Sequence, residues 1–327
     1  MGSITSAIPK SLLQLGGKTL LEWSIDRLHS AGCNNIIVAV GWKQDLVEKA
    51  IDRWDYSFPV KTIRVPDYER GALQTFTAAA RMVHDSISIL HPVDLVTSTE
   101  IVESVLSAHP MDNPFAITLL IDYSASSGSD VSIDSDDRII SIRGGSDGAP
   151  RKAKSAMLLA FSSGFPAYCE ECLNKGDTTV VTALNSLILS QNSVFAHPVN
   201  EQWYDVDTIN DALKANKYLL ETCVTPDSNS VFVPLGDSME VGDSVSLSSG
   251  ISLGSSVILK GPCLISKNSL IAAHCTIGPN VSIGESTIIG ASSVLHDVSI
   301  FGDSEIPTNS KINNALVYQS EIYSEVV

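Results

Sequence analysis

The sequence predicts two architectures in series: an α/β layer built on a doubly wound, mostly parallel sheet, then a solenoid of short strands. Three features predict this. Apolar runs alternate with amphipathic stretches over the first 222 residues, and a six-residue step governs the C-terminal third. Between them, Thr225-Pro-Asp-Ser-Asn-Ser230 is polar, contains a proline and has no periodicity, as a linker would.

The six-residue step runs Leu235, Val241, Leu247, Leu253, Leu259, Ile265, Ile271, Ile277, Ile283, Ile289, Leu295, Phe301, and all twelve positions are aliphatic or aromatic. Glycine follows at Gly236, Gly242, Gly254, Gly278, Gly284, Gly290 and Gly302, and smaller residues such as Val257, Cys263 and Val281 lie two positions before the large ones. A helix is excluded, because a six-residue step rotates around its axis and the glycines would break it. Short strands fit, with the large residue stacked inside and glycine expected in the turn conformation. The pattern resembles the hexapeptide repeats of left-handed parallel β-helices, in which about three hexads form a coil, so roughly four coils are expected.

In the first 222 residues, strands are predicted at 36–40, 62–65, 87–90, 115–121, 156–161 and 194–199. Helices are predicted at 20–31, 45–54, 72–84, 100–108 and 210–220, with Phe165-Pro-Ala-Tyr-Cys-Glu-Glu-Cys-Leu173 as a further helical stretch. Thr19…Glu22, Thr97…Glu100 and Thr208…Asp211 have the spacing of capping boxes. Alternating strands and helices imply right-handed crossovers and a sheet covered on both faces. The expected domains are therefore 1–223, a linker 224–232, the β-helix 233–303 and a tail 304–327 that caps the solenoid or packs on a neighbour.

A net charge of −16 argues against a nucleic-acid partner, whose binding rests on Lys and Arg neutralising phosphates. No apolar run approaches a bilayer span and no basic-then-apolar leader opens the sequence, so neither membrane nor secretion is implied. Six cysteines, four of them scattered and two in Cys169-Glu-Glu-Cys172, do not form a disulfide framework or complete a zinc site. They are read as reduced structural thiols of a cytoplasmic protein.

In an open parallel sheet, ligands gather at the carboxyl ends of strands. His91-Pro-Val-Asp94 follows one predicted strand, and Trp203-Tyr-Asp-Val-Asp-Thr208 precedes a capped helix. Asp94 and Asp205 at such junctions suit a shared Mg²⁺ beside a triphosphate; the alternative is that each favours the positive end of its helix.

The opening segment Ala7-Ile-Pro-Lys-Ser-Leu-Leu-Gln-Leu-Gly-Gly-Lys-Thr-Leu-Leu-Glu22 resembles the Pro-Lys…Gly-Lys segment of the sugar-phosphate nucleotidyltransferases, or NDP-sugar pyrophosphorylases. Leu28–Lys43, His91–Asp94 (closest to the molybdopterin-nucleotide branch) and Trp203–Leu213 continue the resemblance, and members often end in a left-handed β-helix. The resemblance implies that a phosphomonoester oxygen attacks the α-phosphorus of an NTP and pyrophosphate leaves. It places Lys10 on the triphosphate and Asp94 and Asp205 on Mg²⁺; Asp207 is a further ligand or a turn residue. Gly71 lines the base pocket or merely starts a helix. On the acceptor side, Arg143 and Lys154 are the candidates for the sugar phosphate, against a solvated role. The implied partners are an NTP and a small phosphorylated acceptor, with self-association through the β-helix.

The family pattern also implies a first strand and a Gly-rich phosphate loop ending in Arg, and this sequence opens at the residues that would follow. Either the start is assigned too late or this is a truncated relative; if the sequence is complete, two strand edges and apolar helix faces are exposed, and poor solubility or a partner that fills the gap is expected. Two other functions compete. One is a regulatory or scaffolding relative without catalysis, supported by that departure. The other is an acyl-CoA-dependent acyltransferase using His274 or His296 of the repeats as a general base.

Overall fold

The computed structural model describes residues 1–83, 87–135, 138–144, 150–191, 193–224, 233–234 and 239–325. The linker expected over 224–232 lies, from Thr225 on, outside the described residues, as does the first hexad position Leu235. The chain divides into two compact units, Trp23–Asp205 and the pair of segments Met1–Glu22 and Val206–Val327.

In the Trp23–Asp205 unit a four-stranded sheet runs in the order Val194–Pro198, Ile117–Ile121, Leu159–Ser162, Ile87–Leu90. The first pair is parallel, and Leu159–Ser162 is antiparallel to both of its neighbours. Ile36–Val40 and Val60–Arg64 form a separate parallel pair. All five residues of Ile117–Ile121 are buried, because both sheet faces are covered. Ile117, Leu119 and Phe161 pack with Phe76, Phe165 and Leu184 from helices Ala72–Ala80, Phe165–Asn174 and Val180–Gln191. The alternate residues Leu120 and Ala160 pack with Ile101 and Val105 of helix Thr99–Ser107. A three-stranded antiparallel sheet, Arg151–Ser155, Ser129–Ile133 and Ile139–Ile142, completes the unit.

Helix Val180–Gln191 and this three-stranded sheet are not among the elements read from the sequence. The helix runs Val-Val-Thr-Ala-Leu-Asn-Ser-Leu-Ile-Leu-Ser-Gln, too uniformly apolar for its periodicity to declare a type. One predicted cap also moves. Ser98, not Thr97, caps helix Thr99–Ser107 and accepts from the Ile101 N–H. Thr97 is buried, and its carbonyl accepts from Arg27 Nε at 3.2 Å. The Thr19…Glu22 and Thr208…Asp211 boxes form as expected.

In the second unit, parallel pairs join residues eighteen apart, as in Ser252↔Leu270, Ile258↔Thr276 and Cys263↔Val281. Three hexads thus make one turn of a parallel β-solenoid. From Leu253 to Leu295 the six-step residues are buried to 1% exposure or less, whereas Val241, at the open start, is 49% exposed. The step shortens twice: Leu295 is followed inward by Ile300, which pairs with Ile283, so the stacked position is Ile300 and not Phe301, and Ile312 is followed by Val317, which pairs with Ile300. Lys311–Tyr318 then pairs parallel with Val294–Ile300, and Glu321–Tyr323 turns back antiparallel upon it.

Among the described six-step glycines only Gly278, with φ 99°, takes the expected positive φ; left-handed backbone falls mostly at corner residues such as Ser256, Asn268, Asn280 and Ser286. Gly254 and Gly284 are needed for close approach of successive turns: a Cβ there would lie 2.5 Å from Ala273 N and 2.3 Å from Gly302 N.

The same unit holds the first residues of the chain against the solenoid. Asn216, fully buried on helix Ile209–Thr222, accepts from Gly16 N–H at 2.8 Å and from Ser282 Oγ at 2.7 Å, and donates to Asn280 O at 3.2 Å. Ser282 continues to Ser299, whose hydroxyl donates to Gln14 O at 2.6 Å. Every group in this buried chain has a partner, as a low-dielectric network requires.

Candidate active site

Asp94 stands at the carboxyl end of Ile87–Leu90, after a turn closed by Leu95 N–H to Pro92 O at 3.1 Å. Short strand Leu95–Val96 pairs antiparallel with Tyr204–Asp205 in the register Leu95↔Asp205 and Val96↔Tyr204. Two residues 111 positions apart are thereby neighbours. The carboxylates of Asp94 and Asp205 come within 4.8 Å of one another, both half-buried.

The Tyr204–Asp205 strand is latched from one residue upstream. Buried Trp203 donates Nε1–H to Asp122 Oδ2 at 3.1 Å, and Asp122 also accepts from the Ser124 N–H, the Ser124 hydroxyl and the Ala125 N–H. Burial works against ionisation of Asp122, but these donors outweigh it and hold the carboxyl below the usual carboxylate range. The sequence reading did not single out Asp122; its signal was the Asp-x-Ser turn pattern, which is common and carries no specificity.

His91 precedes Asp94. Its Nδ1 meets the Pro92 carbonyl at 2.8 Å, and burial pushes its pKa down to about 4, so the ring is neutral at pH 7.

In the other unit, Lys10 opens a single 3₁₀ turn after Pro9 and pairs with Asp207 at 2.7 Å. Asp207 is two residues beyond Asp205 in the chain and one before the helix cap Thr208.

Arg143 and Lys154 each bond to the start of the central strand of the three-stranded sheet, at the adjacent residues Ser129 and Asp130. Lys154 Nζ meets Asp130 at 2.8 Å, Arg143 Nε donates to Ser129 Oγ at 2.9 Å, and Arg143 N–H donates to the Asp130 carbonyl at 2.8 Å. The Lys154 ammonium holds the Asp130 carboxyl below its ordinary value. Gly71 has φ 119° and precedes helix Ala72–Ala80; a Cβ there would lie 2.3 Å from Thr178 O. Packing against that carbonyl accounts for the glycine without a ligand.

The remaining candidates are structural or exposed. Cys169 and Cys172 are buried in the apolar core, and burial raises both thiols, so neither is a ready thiolate. His274 is exposed at a solenoid corner with φ 64°, and His296 is exposed with Nδ1 at 2.7 Å from Asn313 Oδ1. Neither sits in an enclosed site where a general base would be shielded. Among the described residues no helix is long and apolar enough to cross a membrane.

The α/β unit thus gathers carboxylates at its strand ends, and the C-terminal part of the chain is a parallel β-solenoid. Residues 1–124 match the model of the MobA-like NTP transferase domain, and residues 259–325 match the GMPPB C-terminal domain. No curated protein matches the chain.

Proposed function

We propose that the protein transfers a nucleoside monophosphate from an NTP to a sugar phosphate or a similar phosphomonoester and releases pyrophosphate. The observation that supports this most is the meeting of Asp94 and Asp205 at the carboxyl end of a sheet strand. Paired hard oxygen donors fit a divalent cation of the Mg²⁺ class, which takes one or two carboxylates and completes its shell with phosphate oxygens. Asp94 and Asp205 would hold it; when bound, the ion neutralises charge on the reacting phosphates. Asp207 follows as an additional ligand through its place in the chain, or as the partner that positions Lys10.

Lys10 binds the triphosphate as a point cation, exchanging Asp207 for a phosphate oxygen. The Trp203–Asp122 latch keeps Asp205 in register with Leu95. Arg143 and Lys154, with the Ser129–Asp130 segment between them, orient the acceptor phosphate so that its oxygen is in line with the α-phosphorus. Positioning and charge neutralisation carry such a reaction, with little covalent participation by the protein. The solenoid serves assembly: Leu270 and Ile288, adjacent on one ladder and 37% and 45% exposed, offer an apolar patch for a second copy.

The test is pyrophosphate release with Mg²⁺, each of the four common NTPs, and a panel of sugar 1-phosphates. Release with one base and one acceptor class, lost in Asp205→Asn, is the expected result. Silence in every combination from folded protein leaves the scaffolding role as the reading.

A further inference from the structure

We infer that Asn185, on helix Val180–Gln191, is a positioning residue for the acceptor phosphate: its amide fixes the backbone of Ile142 and thereby aims the guanidinium of Arg143. The inference rests on the reading of Arg143 given above. Among the described residues, Ile139–Ile142 is an edge strand of the three-stranded sheet. Arg143 N–H turns inward to the Asp130 carbonyl at 2.8 Å, so the N–H and C=O of Ile142, one residue earlier, turn outward. Ile142 is fully buried, and both groups need partners there. Asn185 supplies both: its Oδ1 accepts from the Ile142 N–H at 2.9 Å, and its Nδ2 donates to the Ile142 carbonyl at 2.9 Å.

A side-chain amide at this place is not what the helix favours. Val180–Gln191 is largely apolar, with Ala183, Leu184, Leu187 and Ile188 buried in the core, and asparagine is a poor residue for a helix interior. The packing of Leu184 and Leu187, which flank it in the chain, gives the Asn185 amide a fixed location. Its two bonds to one residue imitate the pairing that a neighbouring strand would give.

The next residue is strained. Arg143 has φ 55°, a left-handed conformation that disfavours any residue with a Cβ. Glycine would take it freely, and Gly144 follows directly, yet the strained position holds an arginine. Strain of this kind persists where the surrounding contacts over-determine it. Here three do so: the Asn185 clamp one residue before, the bond from Arg143 N–H to Asp130, and the bond from Arg143 Nε to Ser129 Oγ at 2.9 Å. With Nε engaged, the terminal guanidinium nitrogens have no partner among the described residues, and Arg143 is exposed. The planar fork is thus open to two oxygens of one phosphate. Without the clamp, Ile142 is free to shift, Arg143 relaxes to negative φ, and the fork turns away.

The test is a double-mutant cycle in the pyrophosphate assay, run on the full chain with the sugar 1-phosphate that it accepts. Asn185→Ala is expected to raise KM for that sugar phosphate about tenfold and to leave KM for the NTP unchanged; in an Arg143→Ala background it adds less than about twofold. Asn185→Gln, which keeps the amide, recovers most of the loss. A full effect of Asn185→Ala in the absence of Arg143, or an equal rise in both KM values, makes Asn185 merely structural and overturns the inference. If Arg143→Ala leaves the sugar-phosphate KM unchanged while release continues, the inference falls and the transfer reading stands. If no acceptor supports release, the transfer reading falls, and inorganic phosphate is titrated instead, followed by NMR through the Arg143 Nε–H resonance. A saturable shift whose midpoint rises about tenfold in Asn185→Ala then supports the inference; no shift in the unaltered protein, or one midpoint for both, overturns it. Should Asn185→Ala fail to fold, Asn185→Ser, whose hydroxyl is too short to bridge both groups, replaces it on the same terms.

Discussion

The solenoid and the Trp23–Asp205 unit reach stability by different routes. In the solenoid each turn repeats the last, so a single file of side chains from Leu253 to Val317 forms the core and parallel ladders satisfy the backbone. In the Trp23–Asp205 unit no two elements are alike, and carboxylates gather where strands end. Regularity leaves little room for a site, because every position is committed to packing on its neighbours. Irregular segments such as 91–94 and 203–205 are where side chains are released for chemistry.

That contrast breaks first on catalysis. Asp94→Asn and Asp205→Asn are expected to lower the rate of pyrophosphate release by about 10³-fold, or ~4 kcal/mol of barrier, with Tm nearly unchanged. Asp297→Asn on the solenoid, where Asp297 accepts from Asn280 at 2.6 Å, leaves the rate unaltered. A comparable loss from the solenoid acid would erase the functional division.

The next effect is on stability. Asn216→Ala strands the Gly16 N–H, the Ser282 hydroxyl and the Asn280 carbonyl in a buried setting. At roughly 1–3 kcal/mol for an unsatisfied buried group, partly relieved by relaxation, a loss of about 3 kcal/mol is expected in urea unfolding. Amide exchange then locates the loss in residues 10–20 and the solenoid. An effect below ~1 kcal/mol shows that the network is incidental.

The pH dependence separates the two units further. His91 has its pKa lowered to about 4 in the folded chain, against ~6.5 when unfolded. Below ~6.5 the unfolded chain takes up a proton that the folded chain refuses. The stability from a neutral His91 is therefore complete above that pH, falls as pH drops from ~6.5 to ~4, and changes no further below. The loss reaches about 3 kcal/mol at most, and His91→Gln flattens it. If stability between pH 4 and 6.5 is the same in both proteins, the burial argument is wrong.

Smallest is the latch. Trp203→Phe keeps the apolar body and deletes one hydrogen bond to a carboxylate, costing about 1–2 kcal/mol and lowering the transfer rate through a misplaced Asp205. Asp122→Asn should weaken the same latch, since the ionised carboxyl accepts four hydrogen bonds.

The periodic half was legible almost residue by residue, since stacking demands a large apolar side chain at every sixth place. Its one slip, Ile300 for Phe301, came where a turn shortens and two adjacent residues are both buried and apolar. The role of glycine was misread because a six-step shows where side chains are absent but not whether conformation or close contact forbids them. In the other half, Ile36–Val40 and Ile87–Leu90 were placed to the residue, but the three-stranded sheet was not. Turn residues Asp134-Ser-Asp-Asp137 and Gly144-Gly-Ser-Asp-Gly-Ala-Pro150 do separate its strands, but Arg151–Ser155 is polar and lacks the apolar run by which the other strands were recognised. The association of residues 1–22 with the solenoid, and the Leu95↔Asp205 register, depend on contacts distant in sequence that no local pattern encodes.

The most direct measurement is a Mn²⁺ titration followed by electron paramagnetic resonance, using the full chain with each NTP in turn. The account predicts one tightly held ion per chain with the accepted nucleotide, and its loss in Asp94→Asn and in Asp205→Asn while circular dichroism stays native. Retention of the ion in both variants would contradict the assignment of these carboxylates.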